Sequence, residues 1–181
     1  MKTVCEHCGC SFFAENRRGI TPKYCSNSCR QKAYRARRPR VPELMRSQRR
    51  WVRADGKRPV MPDGLPASST DSSTWSSFAE VQAGAGDGYG VMLGGGLGCY
   101  DFDHCIDADG CVSERVRGLL QRIRPESVVM VEKSVSGRGL HVFVRARESR
   151  GFRRDGFEFY SRGRFIRVTG DCVRLGVLVA P

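Results

Sequence analysis

No window of the 181-residue chain approaches 18 consecutive apolar residues, and no charged-then-apolar stretch opens it. Neither a membrane-spanning helix nor a secretory leader is expected, so a cytoplasmic protein with no membrane partner is the starting expectation. A G-x-x-x-x-G-K-[ST] segment is also missing, which leaves out a P-loop nucleotide hydrolase. Acidic residues are scarce at the start: residues 1–58 hold 16 Lys or Arg against 4 Asp or Glu, whereas residues 59–181 hold 15 of each. The whole formal charge of +12 thus belongs to the first third. A basic arm on a neutral globule fits a polyanion, most often nucleic acid, because counterion release favours such contacts without sequence reading. A solubilising tail is the plainer alternative.

Apolar residues make up 40% of the chain, enough for one domain of ordinary size with a small appendage. The nine cysteines, in a chain with no export signal, point to metal before disulfides. Only the first group has ligand spacing: Cys5 and Cys8 form C-x2-C, and Cys25 and Cys29 form C-x3-C after a 16-residue gap. A segment this short has almost no core, and four thiolates around one structural zinc would staple it. Gly9 suits the tight turn of a knuckle, and Ser26 suits the cap of a helix carrying Cys29 on its first turn. Cys10 and His7 are the reserve ligands. Knuckle, hairpin and helix together make a treble-clef-like finger.

Arg30, Lys32, Arg35, Arg37, Arg38 and Arg40 then give a basic helix and tail suited to phosphate contact, or simply a solvated face. The expected organisation is a four-cysteine zinc finger with its basic helix over residues 1–38, a basic linker over 39–50 containing Pro39 and Pro42, and one folded domain over 51–181. The finger segment, C-E-H-C-G followed by Y-C-S-N-S-C-R-Q-K-A-Y-R, resembles small fingers of bacterial and phage proteins that end in Y-C-S-x2-C-R-x2-A-Y-R. That resemblance implies zinc and nucleic-acid contact.

From Trp51 onward hydrophobic alternation replaces charge runs. Residues 90–93 and 98–103 read as strands joined by the glycine turn at 94–96. Val116, Leu119, Leu120 and Ile123 have the spacing of an amphipathic helix over 113–124. Residues 128–133 and 140–145 read as a second hairpin, and 157–160 with 164–169 as a third. Strand hairpins with an intervening helix predict an α+β domain with helices on one side of an antiparallel or mixed sheet.

The chemistry lies in the carboxylates. On a strand, Asp101 and Asp103 would project from one face while Tyr100 and Phe102 pack on the other. Two like charges so close repel by roughly 4 kcal/mol at an effective dielectric near 20, an arrangement suited to magnesium or manganese. An exposed strand edge also produces D-x-D by chance. Glu158, flanked by Phe157 and Phe159, is an acidic residue in a strand otherwise fit for burial, and it needs either the same metal or an arginine partner. His141 follows the turn Ser136-Gly137-Arg138-Gly139, whose small residues would let main-chain amides approach an anion such as a triphosphate. A strand histidine is as readily structural.

Five stretches resemble the catalytic core of the archaeo-eukaryotic primase superfamily, in particular the primase-polymerases of phages and plasmids. They are K-R-P-V-M-P-D-G-L-P-A-S-S-T-D-S-S-T-W at 57–75, G-Y-G-V-M-L-G at 88–94, D-F-D-H at 101–104, S-V-S-G-R-G-L-H-V-F-V at 134–144 and F-E-F-Y-S-R-G-R-F-I-R-V-T-G at 157–170. The resemblance implies an RRM-like catalytic sheet. It also implies Asp101 and Asp103 as the metal pair of the first motif, His141 as the nucleotide-binding histidine of the second and Glu158 as the acid of the third. Ser136 and Arg138 match the turn before that histidine, Arg164 the basic residue of the R-F-x-x-T-G strand, and Lys57 or Arg58 a basic residue ahead of a proline. Two departures stand out: no proline precedes the glycine turn, and Ser161 stands where many members have aspartate.

The implied activity is DNA primase/polymerase nucleotidyl transfer on a single-stranded DNA template from nucleoside triphosphates. Two magnesium or manganese ions would activate the 3'-hydroxyl and the leaving pyrophosphate, while His141 and nearby arginines grip the triphosphate. A phage or mobile element is the expected source, the host cytoplasm the compartment, and a separately encoded helicase or helical primase domain a partner. The rival is a catalytically inactive nucleic-acid-binding replication protein. A rolling-circle nuclease needs a histidine pair around one hydrophobic residue, which His141-Val142-Phe143 lacks, and a zinc-dependent regulator leaves residues 51–181 unexplained.

Overall fold

In a computed structural model, which describes residues 2–14, 21–37, 41–154 and 156–178, the chain divides into two compact units, 1–40 and 41–181. The first opens with strands β1 (Lys2–Val4) and β2 (Ser11–Phe13), antiparallel with Lys2 opposite Phe13. Between them the chain turns back at the knuckle: the Cys5 amide donates to the Cys10 carbonyl and the Gly9 amide to the Cys5 carbonyl, each at 2.9 Å. Gly9 has φ +72°, which a Cβ would strain. Helix α1 (Asn27–Arg37) follows, and the Ser26 hydroxyl accepts from the Cys29 amide at 3.2 Å, the expected cap. Cys5, Ala14 and Ala33 are the buried apolar residues described here, a core far too small to hold a fold unaided. Arg30 and Lys32 are exposed on α1. Arg38 and Arg40 of the expected basic tail lie outside the described residues.

The second unit is α+β, with antiparallel sheets and few helices. It begins earlier than the sequence reading placed it. Val41 and Met45 are buried in its core, short helix α2 (Glu43–Arg46) carries Met45, and the Trp51 indole donates to the Met45 carbonyl at 2.9 Å. Residues 41–50 therefore pack rather than link, because Val41, Leu44 and Met45 form an apolar face that the surrounding arginines mask in the sequence.

Two sheets follow. The four-stranded one contains β3 (Trp51–Asp55), β4 (Arg58–Val60), β5 (Gly88–Met92) and β11 (Phe165–Val168), in the order β11-β5-β3-β4. The five-stranded one contains β6 (Leu97–Phe102), β7 (Val128–Lys133), β8 (Leu140–Arg145), β9 (Phe152–Arg154) and β10 (Phe157–Tyr160), in the order β7-β8-β6-β10-β9. Helix α3 (Glu114–Leu120) falls inside the predicted helical stretch, and α4 (Leu175–Leu178) lies near the end of the chain. Among the described residues no helix is long and apolar enough to cross a membrane.

Of the three expected hairpins, 128–133 with 140–145 forms, with Lys133 opposite Leu140. The other two do not. β5 and β6 belong to different sheets, and the chain crosses between them through Gly94, Gly95 and Gly96, all at positive φ. β10 pairs with β6 and with β9, whereas β11 crosses to β5.

Alternation along the five-stranded sheet explains both of its faces. Phe102, Val131, Leu140, Val142, Val144 and Phe159 pack with Val116 and Leu120 of α3. On the opposite face Cys99, Met130 and Phe143 pack with Trp51, Val91 and Ile166 of the second sheet. Met130, Phe143, Cys99 and Tyr160 are register partners in series across β7, β8, β6 and β10, making one row of this inter-sheet core.

Candidate functional site

In the first unit the sulfur atoms of Cys5, Cys8, Cys25 and Cys29 all lie within 4.8 Å of one another, close enough to hold a metal such as zinc. Cys10 is also near, its sulfur 3.0 Å from that of Cys8. Burial opposes the Cys5 thiolate, but the amides of Cys25, Cys8 and His7 outweigh it and bring the thiol down to about 6. At Cys29 the Ser26 hydroxyl works the other way, yet Cys25 and burial prevail and push the thiol up to about 11. Clustered thiols cannot all ionise alone, and a divalent cation removes that conflict.

In the second unit, two residues beyond the apolar row on each strand, lies a polar row on the same face. Glu132 on β7 is opposite His141 on β8, His141 opposite Asp101 on β6, and Asp101 opposite Glu158 on β10. Arg153 on β9 completes it opposite Glu158. Residues far apart in sequence thus become neighbours by register alone, at the margin of the inter-sheet core. Glu132 is fully buried, and His141 and Glu158 nearly so.

The His141 ring stands between two carboxylates. Its Nδ1 lies 3.1 Å from Glu132 Oε1 and its Nε2 3.7 Å from Asp101 Oδ1. Asp101 has its carboxyl raised above the usual range, first by burial and then by the charge of Asp103, against the lowering influence of His141, Arg164 and Lys57. Asp103 itself lies one residue past the end of β6, exposed in the following turn. The expectation that it projects from the strand is corrected accordingly, although its charge still reaches Asp101. The charge of Lys57 reaches Asp101, and Arg58 is bound to Asp55 at 2.7 Å.

Glu158 has basic and hydroxyl partners. Arg153 bonds to Oε1, the Tyr160 hydroxyl donates to Oε2 at 2.8 Å, and Arg164 lies 3.5 Å from Oε2 and 4.7 Å from the centre of the Tyr160 ring. Among the described residues the four cysteines are the only group of three or more candidate ligands drawn together, so Asp101, Asp103 and Glu158 do not form a closed ligand set. Glu158 joins the two aspartates only if its arginines let go. Arg153 is itself largely exposed, but Glu158 is nearly buried, so releasing the arginine would leave a buried carboxylate short of a donor.

The turn before β8 differs from the anion cradle expected there. The amides of Gly137, Arg138 and Gly139 donate to the Ser134 carbonyl, the Ser136 hydroxyl and the Ser134 hydroxyl. Two serines thus satisfy the amides that would otherwise face an anion. Ser136 and Arg138 remain exposed, leaving the Arg138 side chain as the turn's cation. Ser161 is buried and accepts from the Ser149 amide at 2.8 Å, fastening the loop ahead of β9 rather than adding a carboxylate.

Sequence reasoning missed Glu132, Arg153 and Tyr160. For Glu132 the signal was available: an acidic residue closing the apolar run 128–131, the same signature that singled out Glu158. No protein-family model matches the chain, and no curated protein does.

Proposed function

We propose that the second unit is a nucleotidyltransferase of the primase-polymerase type, extending or starting a strand on single-stranded DNA, with the zinc finger and basic helix contributing to nucleic-acid binding. The observation that carries this reading is the registered row His141-Asp101-Glu158. It draws together, from three strands, the three residues that the resemblance implies as nucleotide- and metal-binding groups. Asp101 and Asp103 would hold a magnesium or manganese ion, with Glu158 joining after exchange of its arginine contacts. Such an ion supplies charge stabilisation at the phosphoryl centre and at the leaving pyrophosphate. Around it, His141, Arg138, Arg164 and Lys57 would neutralise and orient the triphosphate, so the protein acts by positioning and needs no nucleophilic side chain.

The arginine contacts on Glu158 favour a second reading, a nucleic-acid-binding replication protein in which the third carboxylate serves structure and no transfer occurs. Nucleotide incorporation on single-stranded DNA, with and without primer, in magnesium or manganese, separates the two. Product from the wild type and none from Asp103→Ala supports transfer, and the unprimed lane distinguishes primer synthesis from extension. DNA binding by both proteins with no product from either supports the second reading.

A further inference from the structure

Glu132 has no exposed surface. A buried carboxylate costs several kcal/mol unless donors surround it, and here they do. Oε2 accepts from the main-chain amides of Thr169 at 3.1 Å and Gly170 at 2.9 Å, and Oε1 faces His141 Nδ1 at 3.1 Å. Two of these three partners are amides that can only donate, and a carboxylate can only accept. For the third contact to be a hydrogen bond, the proton must sit on Nδ1. The amides come from the segment after β11, which runs beside β7: the Val173 amide donates to the Val131 carbonyl and the Lys133 amide to the Asp171 carbonyl. Glu132 therefore ties the end of one sheet to the edge strand of the other. Phe143 meets the imidazole edge-on, with centroids 6.2 Å apart, and limits its tilt.

We propose that Glu132 is a positioning residue that fixes His141 with Nδ1 protonated, so that Nε2 is the nitrogen presented to Asp101 and to whatever binds there. The Thr169 and Gly170 amides both bond to Oε2 and leave the buried Oε1 to another donor. That oxygen engages the one side chain that stands between Glu132 and Asp101 in the row. With Nδ1 protonated, Nε2 carries the lone pair and can donate to a phosphate oxygen only after taking a second proton, so nucleotide binding there rests on the proposed transferase reading; the tautomer does not.

Glu132→Gln carries a specific consequence. The glutamine oxygen is needed by the two amides, so its NH2 turns to His141, and Nδ1 must then accept. The proton moves to Nε2. Long-range proton–nitrogen NMR on the full chain reads this directly, because there are only three histidines and His141→Gln identifies the third signal. The expected result is an Nδ1–H form in the wild type, its proton slow to exchange, and loss of that signal in favour of Nε2–H in Glu132→Gln. In the incorporation assay the same variant is expected to lose about 10- to 100-fold in turnover, the usual effect of removing a residue that orients a functional histidine.

A wild-type His141 in the Nε2–H form, or a tautomer unchanged by Glu132→Gln, overturns the proposal. Full turnover in Glu132→Gln overturns the positioning role. If the variant does not fold, the wild-type tautomer alone decides. If the wild type incorporates nothing, the NMR result still decides on Glu132 while the transferase reading fails separately.

Discussion

In the first unit four thiols meet because short spacings, a knuckle and a helix cap bring them together within a segment with almost no core. In the second, four polar side chains meet because four strands, each anchored by apolar residues on both faces, are locked in register. The two arrangements put cause and effect in opposite order. A bound metal such as zinc would hold the first unit together, whereas strand pairing alone sets the row in the sheet.

Metal chelation tests that contrast most strongly. A chelator, or Cys25→Ser, is expected to collapse amide dispersion for residues 2–37 while leaving the spectrum of the second unit intact, because zinc contributes on the order of 10 kcal/mol or more to such fingers. Simultaneous melting of both units would erase the distinction. The converse experiment removes core from the second unit: Phe143, fully buried between the sheets, is expected to cost about 3–5 kcal/mol as Phe143→Ala, read by denaturant unfolding, with zinc content unchanged.

A smaller effect concerns Asp101. Its carboxyl is raised in the folded state, mainly by burial. The folded protein thus holds this proton more tightly than the unfolded chain, and the site's contribution to stability is full at acid pH and is lost as pH rises through the folded value. Asp101→Asn is expected to flatten this fall and to be at least as stable as the wild type at neutral pH, measured as Tm across a pH series. A lower neutral Tm in the variant would mean that the row needs the charge for its structure. Smallest is Ser26→Ala, expected to cost about 1 kcal/mol of finger stability through the lost cap on α1, seen as weaker zinc retention in a competition titration.

What the sequence disclosed follows the same divide. Thiol spacing and a capping serine are local, and all four cysteines and the cap stand where they were expected. The β7–β8 hairpin was legible because a largely apolar run on each side frames a glycine turn. The partners of β10 and β11 were not, since two short alternating strands near a turn look like a hairpin whether or not the chain crosses to another sheet there. Residues 41–50 were obscured by arginines flanking a buried Val41 and Met45. Asp101, His141 and Glu158 were identifiable as candidates singly, but their alignment depends on strand order, which no local pattern encodes. Glu132 carried the same signal as Glu158 and lacked only a motif to draw attention to it.

The most direct test of the transferase reading uses the variant that this electrostatic picture makes harmless to the fold. Radiolabelled nucleotide incorporation on single-stranded DNA, in magnesium and in manganese, is compared between the wild type and Asp101→Asn. The account predicts metal-dependent product from the wild type and none from the equally stable variant. Equal product from both, or none from the wild type with either metal, would contradict it.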